Sequence, residues 1–379
     1  MVFLITLQLG SYDLMVDSSL RLFTGQLQVQ REGYLDKPQI RTVIPEARAL
    51  ARRLRQGLSQ GEAGVAVRAQ AFALASSGTR SYGVQAVGVE PEYEPRVSTI
   101  PHLIKTGRYF SAIGAQEAVM GATLAHNLHI KVGDDLTLLG SARDGSVAAT
   151  IVPVVGLFES GMRELDRQLV QLPLRTFQDL FGLDQAAHAI VLVAPELTQL
   201  PALERDVTAL LPAGEDLVVL DWERLVPGLK QLIQADWTTG WFTYLALIAV
   251  VTFSILNTFI MSVLERTREF GTMLALGTSP MRIGVMVVFE SLFLTLLGIA
   301  IGVGIGVLIA LYLSVHGFTY PGLKELMGQY GLPGLIYPKV SFVSVGLGPA
   351  VILLCILAAS LYPALRIRQL NAVEAMHAV

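Results

Sequence analysis

The sequence has 379 residues, of which 52% are hydrophobic and only 16% charged, and its formal net charge is −3. Soluble chains average about 25% charged residues, and a chain with no basic excess lacks the electrostatic footprint of a nucleic-acid binder. The one cysteine, Cys355, excludes an intrachain disulfide or a cysteine metal cluster.

Charge is unevenly placed. Residues 24–236 carry 44 of the 59 charged side chains, 237–379 carry 12, and 1–23 carry 3. Two different solvents are implied: water for the middle of the chain, hydrocarbon for its last third.

The chain opens on Val2-Phe-Leu-Ile-Thr-Leu-Gln-Leu9, apolar but too short to span, with Asp13 and Asp17 soon after. It lacks a basic n-region and an A-x-A cleavage site, which argues against a signal peptide. It reads as the outer half of a first membrane helix continuing into water as far as Leu22, its inner half outside this sequence. The alternative is a core helix of the soluble domain.

Residues 24–236 read as mixed α/β. Gln26–Gln30 alternates as a strand does, and Pro45–Arg55 has helical spacing with proline in its first turn. Strand-like runs at Val65–Ala75 and Tyr82–Val89 complete a β-α-β-β opening, read as one small sheet crossed by a helix. From about Pro91 to Pro195 a second block follows. In it Gly133–Leu139 turns into a strand, Val147–Phe158 partners it, and Pro173–Phe181 is a short helix. Another helix follows Pro201 as far as Leu211. Glu223–Trp237 reads as a helix running straight into the next apolar stretch.

Three stretches reach the roughly 20 apolar residues needed to cross a ~30 Å hydrocarbon core. They lie at about 241–264, 284–315 (interrupted by Glu290) and 341–364, and Trp237, Trp241 and Tyr244 form an aromatic belt at the first. Arg266, Arg268, Arg282, Arg366 and Arg368 lie on one side, against Lys324 and Lys339 on the other. The positive-inside rule puts the first group in the cytoplasm and 24–236 outside. The expected fold class is therefore membrane α-helical: four transmembrane helices, the first shortened, with a large α/β extracytoplasmic domain inserted between helices 1 and 2. The expected domains are 1–23, 24–236 and 237–379.

Catalytic motifs are missing from the sequence. It has no G-x-x-x-x-G-K-[ST] phosphate loop and no G-x-S-x-G elbow. Leu58-Ser-Gln-Gly-Glu62 echoes an ABC signature loop without the Walker elements that would give it meaning. His126 and His129 are three apart without a carboxylate set beside them. No enzyme activity, cofactor or metal is expected.

The membrane part is more informative. In Glu265-Arg-Thr-Arg-Glu-Phe-Gly-Thr-Met-Leu-Ala-Leu-Gly277, Glu265, Arg266 and Glu269 allow (i, i+3) and (i, i+4) pairing. Phe270, Met273, Leu274 and Leu276 can form an apolar stripe, and Gly277 ends the helix. Such a helix suits the lipid interface and a cytosolic partner equally. Gly298, Gly302, Gly304 and Gly306 make overlapping G-x-x-x-G steps, which bring helices close within the chain or between two copies. Glu290 is an intramembrane acid about 12 Å along the helix from Arg282. Pairing with Arg266 or Arg268 is the preferred reading, over a proton or ion path.

These residues resemble the FtsX-like permeases of ABC transporters, including the MacB and LolC/LolE types. The resemblance rests on Glu265–Ser279, on Glu290 before the glycine-rich span, and on the ending Pro363–Met376. Gly107-Arg-Tyr-Phe110 and Glu117–Leu128 through Gly133-Asp-Asp135 are similar to the family's periplasmic core. It implies a dimeric four-helix permease of the bacterial inner membrane, a homo- or heterodimer with a second permease copy. A separate cytosolic ABC ATPase docks near 265–280 and its ATP cycle moves the periplasmic domain. Glu265, Arg266, Glu269, Phe270, Leu274 and Gly277 are then docking residues, Glu290 a brace, and the glycines helix-packing positions. Lipoprotein release or efflux is the implied function, with a periplasmic lipoprotein or other cargo and membrane lipid as further partners. The alternative is a mechanotransmission protein regulating a cell-wall hydrolase; a secondary transporter would need more charge in the spans. Unlike MacB itself the sequence shows no fused N-terminal ATPase, and its first helix reads as short for the family, without the usual basic cytoplasmic lead-in.

Overall fold

The computed structural model describes residues 1–58, 63–212, 214, 216–319, 321–322 and 335–367. Most of the Leu58–Glu62 loop, Lys324, Arg368 and the end of the Pro363–Met376 motif lie outside the described residues. The chain divides into two compact units. A helical unit takes Met1–Tyr12, Gln231–Thr319 and the described residues from Leu335 onward, and a sheet unit takes Asp13–Lys230.

The sheet unit holds ten strands: β1 Leu27–Arg31, β2 Gly64–Ser77, β3 Arg80–Val89, β4 Ile104–Gly107, β5 Ala118–Gly121, β6 Asp135–Ser141, β7 Val147–Phe158, β8 Leu169–Pro173, β9 Ala189–Val193 and β10 Leu217–Asp221. All belong to one sheet in the order β10-β1-β9-β2-β3-β8-β5-β7-β4, with β6 pairing both β2 and β7. This corrects the expectation of a small first sheet followed by a separate block. Strand β2 is the reason. Its first half pairs β9 through Gly64–Arg68, and its second half pairs β6 through Ala73–Ser76. Pairing then runs β2-β3-β8-β5-β7-β6 and returns to β2, closing a six-strand ring.

Burial along β2 follows from that placement. Gly64–Ala69 is buried on both faces: Val65, Val67 and Ala69 enter the main core, while Ala66 packs with Val97, Val191 and Val193. Beyond Gln70 the strand alternates, leaving Phe72 and Leu74 exposed. A strand buried on both faces reads as a continuous apolar run, which is why its length but not its role is legible in sequence.

Short helices cover the core. Helix α1 spans Val2–Ser19, and α2, Ala47–Gly57, buries Ala47, Leu50, Ala51 and Leu54 at helical spacing, where each leucine contributes roughly 2 kcal/mol by leaving water. Helices α3 Ala122–Leu128, α4 Arg163–Gln168, α5 Leu174–Phe181 and α6 Leu200–Leu210 follow. Phe177 and Phe181 of α5 pack 4.5 Å apart and sit over Gly88 and Gly140, where a Cβ would meet a ring. The single helix expected from Glu223 is broken. Trp222–Leu225 forms α7, Val226 leaves helical geometry, and α8 starts at Pro227, a residue suited to a first helical position.

In the helical unit, α8 runs Pro227–Glu265, α9 Thr267–Ala275, α10 Pro280–His316 and α11 Phe342–Ile367. Among the described residues, α8 and α10 are long and apolar enough to cross a membrane, and α11 carries a shorter apolar run, Ser344–Ala359. Helix α1 joins this unit through a polar cluster absent from the sequence reading. Gln8 Nε2 donates to Tyr12 Oη at 2.6 Å and to Asp236 at 3.1 Å, Tyr12 Oη donates to Asp236, and Tyr244 Oη donates to Gln8 Oε1. Gly240 makes room for Gln8, and Tyr12 leans on Trp237 with ring centroids 6.1 Å apart.

Candidate functional site

The loop between α8 and α10 gathers most of the singled-out side chains. Gly277, at φ +91°, ends α9 with its N–H on Leu274 O at 3.0 Å, while Thr278 N–H meets Met273 O at 3.0 Å. Ser279 then precedes α10, with Pro280 in its first turn. The connection is two tight helix ends with no slack between them.

Arg266 sits at the N-terminal boundary of α9 and holds three groups together. Its Nε donates to Glu269 at 3.1 Å, and its Nη1 donates to both oxygens of Glu290 at 3.0 and 2.9 Å. The two carboxylates, Glu269 first, raise the guanidinium's pKa further, so it stays charged at every relevant pH. Of the two arginines the sequence offered Glu290, the geometry brings Arg266 to it. Being about half exposed, the pair is worth ~1 kcal/mol or less in water. Its geometric effect is to tie the start of α9 to α10.

The apolar stripe behaves differently from the expectation. Phe270 is 1% exposed and packs with Ile283 and Val287, against which Val263, Met273 and Leu274 are half buried. As a docking contact Phe270 is therefore corrected: a ring inside the α9–α10 packing presents no surface to a partner. Leu274 leans on the same cluster and is only partly available. Leu276, drawn into the stripe by spacing, is 82% exposed because α9 ends at Ala275. The exposed face of this loop is Glu265, Arg268, Glu269, Thr272, Ala275, Leu276 and Gly277. Arg268 and Leu276 belong to it, though they were not among the expected docking residues. Counting four back from Leu276 to Thr272 and again to Arg268 would have found them.

The glycines of α10 divide. A carbon added at Gly306 would lie 3.3 Å from Val2 Cβ, so this glycine admits α1. Gly298, Gly302 and Gly304 have no atom within 4 Å of such a carbon, so among the described residues they make no close helix contact within the chain. That corrects the expectation of intrachain packing at those three. Gly298 and Gly302 instead line an apolar cavity of about 440 Å³ with Val2, Phe259 and Ile352. In the sheet unit, His129 has φ +58° and terminates α3, its ring 6.3 Å from that of His126. His129 therefore lies just past the helix, with its ring stacked near that of His126.

Comparison with known proteins now identifies both parts. The family model of the FtsX-like permease C-terminal domain matches residues 241–372, and that of the MacB-like periplasmic core domain matches residues 4–210. The chain belongs to the FtsX-like, MacB-type family of ABC transporter permeases. Two relatives are the lipoprotein-releasing system transmembrane proteins LolC of Neisseria meningitidis serogroup B and LolE of Haemophilus influenzae. The first is 27% identical over 55% of this chain and 51% of its own length, the second 25% identical over 80% and 74%. The chain thus spans about half the length of the LolC relatives it matches. Among solved structures, the periplasmic region of MacB from Actinobacillus actinomycetemcomitans covers 56% of this chain and 94% of its own, at 15% identity and a TM-score of 0.40. The extracellular domain of the noncanonic ABC-type transporter YknZ from Gram-positive bacteria covers 52% and 99%, at 16% identity and a TM-score of 0.38. In this family setting, the α8–α10 loop is the candidate site.

Proposed function

We propose that this FtsX-like permease is the membrane subunit of a bacterial inner-membrane ABC transporter of the lipoprotein-release or efflux type. It spans the membrane four times through α1, α8, α10 and α11, with the first span short. A second permease copy, identical or not, completes it. A separate cytosolic ATPase docks on Glu265, Arg268, Glu269, Thr272 and Leu276. ATP-driven movement of this docked helix passes through the spans to the extracytoplasmic domain, which moves a lipoprotein or other cargo.

The observation that carries the reading is the division of labour within α9. One face is packed by Phe270 and tied to α10 by the Arg266–Glu290 pair, and the opposite face is exposed and carries charge of both signs. A push on that face therefore reaches α10 directly. Gly298, Gly302 and Gly304, without a close neighbour among the described residues, support a second copy packing there.

Copurification tests the reading. Leu276→Asp combined with Arg268→Glu, expressed with the cognate cytosolic ABC ATPase, is expected to lose the ATPase while the permease stays in the membrane. Retention of the ATPase by that variant removes the docking assignment. A cell-wall hydrolase recovered on the extracytoplasmic side, in place of lipoprotein, would move the function to hydrolase regulation.

A further inference from the structure

Helix α1 opens at its end into a π-helical turn, Leu20–Thr24, closed by Gly25 at φ +79°. A helix end leaves its last carbonyls without intrahelical donors. Here every one from Leu20 to Thr24 is met. Leu20 O accepts from Gly25 N at 2.7 Å, and Arg21 O from Thr99 N at 2.8 Å. Leu22 O accepts from Ser98 Oγ at 2.9 Å, Phe23 O from Arg68 Nη1, and Thr24 O from Gln28 Nε2 at 2.6 Å. A second tie runs to Ala194, just past β9: Arg21 Nη2 donates to Ala194 O at 3.1 Å and Gln26 Oε1 accepts from Ala194 N at 2.8 Å.

Arg68 stands at the centre of this arrangement. It is 0% exposed, as is Glu94, to whose two oxygens it donates at 2.6 and 3.2 Å. Glu94 opens the turn that delivers Ser98, since Ser98 N donates to Glu94 O at 2.9 Å. One guanidinium therefore fixes the helix end directly through Phe23 and indirectly through the turn that holds Arg21 and Leu22. The negative end of a helix favours a cation there. Stability alone does not account for the pair, because a buried ion pair is often no better than well-packed apolar residues of similar volume. A rigid fork that binds a carbonyl and a carboxylate at once does supply geometry.

We propose that Arg68 is the positioning residue that locks the end of α1 to the sheet unit, so that displacement of α1 enters the sheet without slack. Its functional half rests on the coupling described under Proposed function; the lock itself does not.

The test uses the full chain in lipid nanodiscs, as wild type, Arg68→Met and Arg68→Met/Glu94→Met. The single variant leaves Glu94 buried and unpaired and is expected to be poorly folded. The double variant removes both charges and is expected to melt near the wild-type temperature. In the double variant, hydrogen exchange at the Gly25 and Thr99 amides should quicken by about tenfold or more, as in a local opening. The β9 amides of Ile190–Leu192 should be unchanged. With the partner ATPase added, nucleotide-driven change in the distance between one spin label in each unit should be largely lost while ATP hydrolysis continues. Unchanged exchange at Gly25 and Thr99, or a nucleotide-driven change of wild-type amplitude, would overturn the proposal. If the wild type shows no nucleotide-driven change, the coupling reading falls, and the exchange result alone decides the lock.

Discussion

His188 makes the sheet unit of this protein sensitive to acid, and the size of the effect can be worked from its surroundings. The ring is 0% exposed, stacked 5.2 Å from Tyr34. Its Nδ1 accepts the Gln70 N–H at 2.9 Å, and Nε2 lies 3.3 Å from Ile40 O, which fixes the neutral tautomer with its proton on Nε2. Protonating Nδ1 would set an N–H against an N–H. Burial, with Arg143 adding to it, lowers the pKa from 6.5 to about 4. An unfolded chain then takes up a proton below 6.5 that the folded chain refuses until about 4. Stability is therefore full above pH 6.5, falls as pH drops through that window, and levels off below it. At pH 4 the loss reaches about 3 kcal/mol.

Denaturant titration of the full chain in detergent reads this, followed by Trp222 fluorescence with Trp237 and Trp241 replaced by Phe. The comparison is His188→Asn, whose side-chain oxygen can still accept the Gln70 N–H but takes up no proton. It should be less stable than wild type at pH 7.5 and should lose about 3 kcal/mol less between pH 7 and pH 4. Equal losses in the two proteins would show that His188 does not titrate across this window, and the burial argument would fail.

Five other substitutions test the geometry of the α8–α10 loop and the spans. Phe270→Ala should cost roughly 3–4 kcal/mol of packing between α9 and α10, read as a lower melting temperature. Leu276→Asp should leave that temperature unchanged, and equal effects would contradict their opposite burial. Arg266→Met should speed exchange of the Phe270 amide, which bonds Arg266 O at 3.0 Å, with only a small change in global stability because the ion pair is half exposed. Gly306→Leu should disturb the packing of α1, since Val2 Cβ lies 3.3 Å from the added carbon. Gly302→Leu should leave the single chain folded and reduce crosslinking between permease copies; unaltered crosslinking would remove the second copy from that face.

What could be read from residues alone was what depends on nearest neighbours and on solvent. The apolar lengths of 241–264 and 284–315 match what a bilayer would require, and α8 and α10 run through them. Local periodicity marked α2, α5 and α6, and for Val147–Phe158 even the ends agree with β7. Gly277 and Pro280 punctuate the chain by backbone rules that need no tertiary context. Strands β4, β5, β8, β9 and β10 were not legible. They are short, and β5, β8 and β9 are buried at every residue, so they carry no alternation to detect.

Tertiary structure decided the rest, because it sets which groups are far apart in sequence and adjacent in space. It joined both blocks into one closed sheet through β2. It turned Phe270 inward and Leu276 outward, a choice that depends on where α10 lies rather than on the spacing within α9. It selected Arg266 over Arg268 for Glu290. And it placed Arg68, a charged residue within an apolar strand run, against Glu94 and the carbonyl of Phe23, 45 residues away.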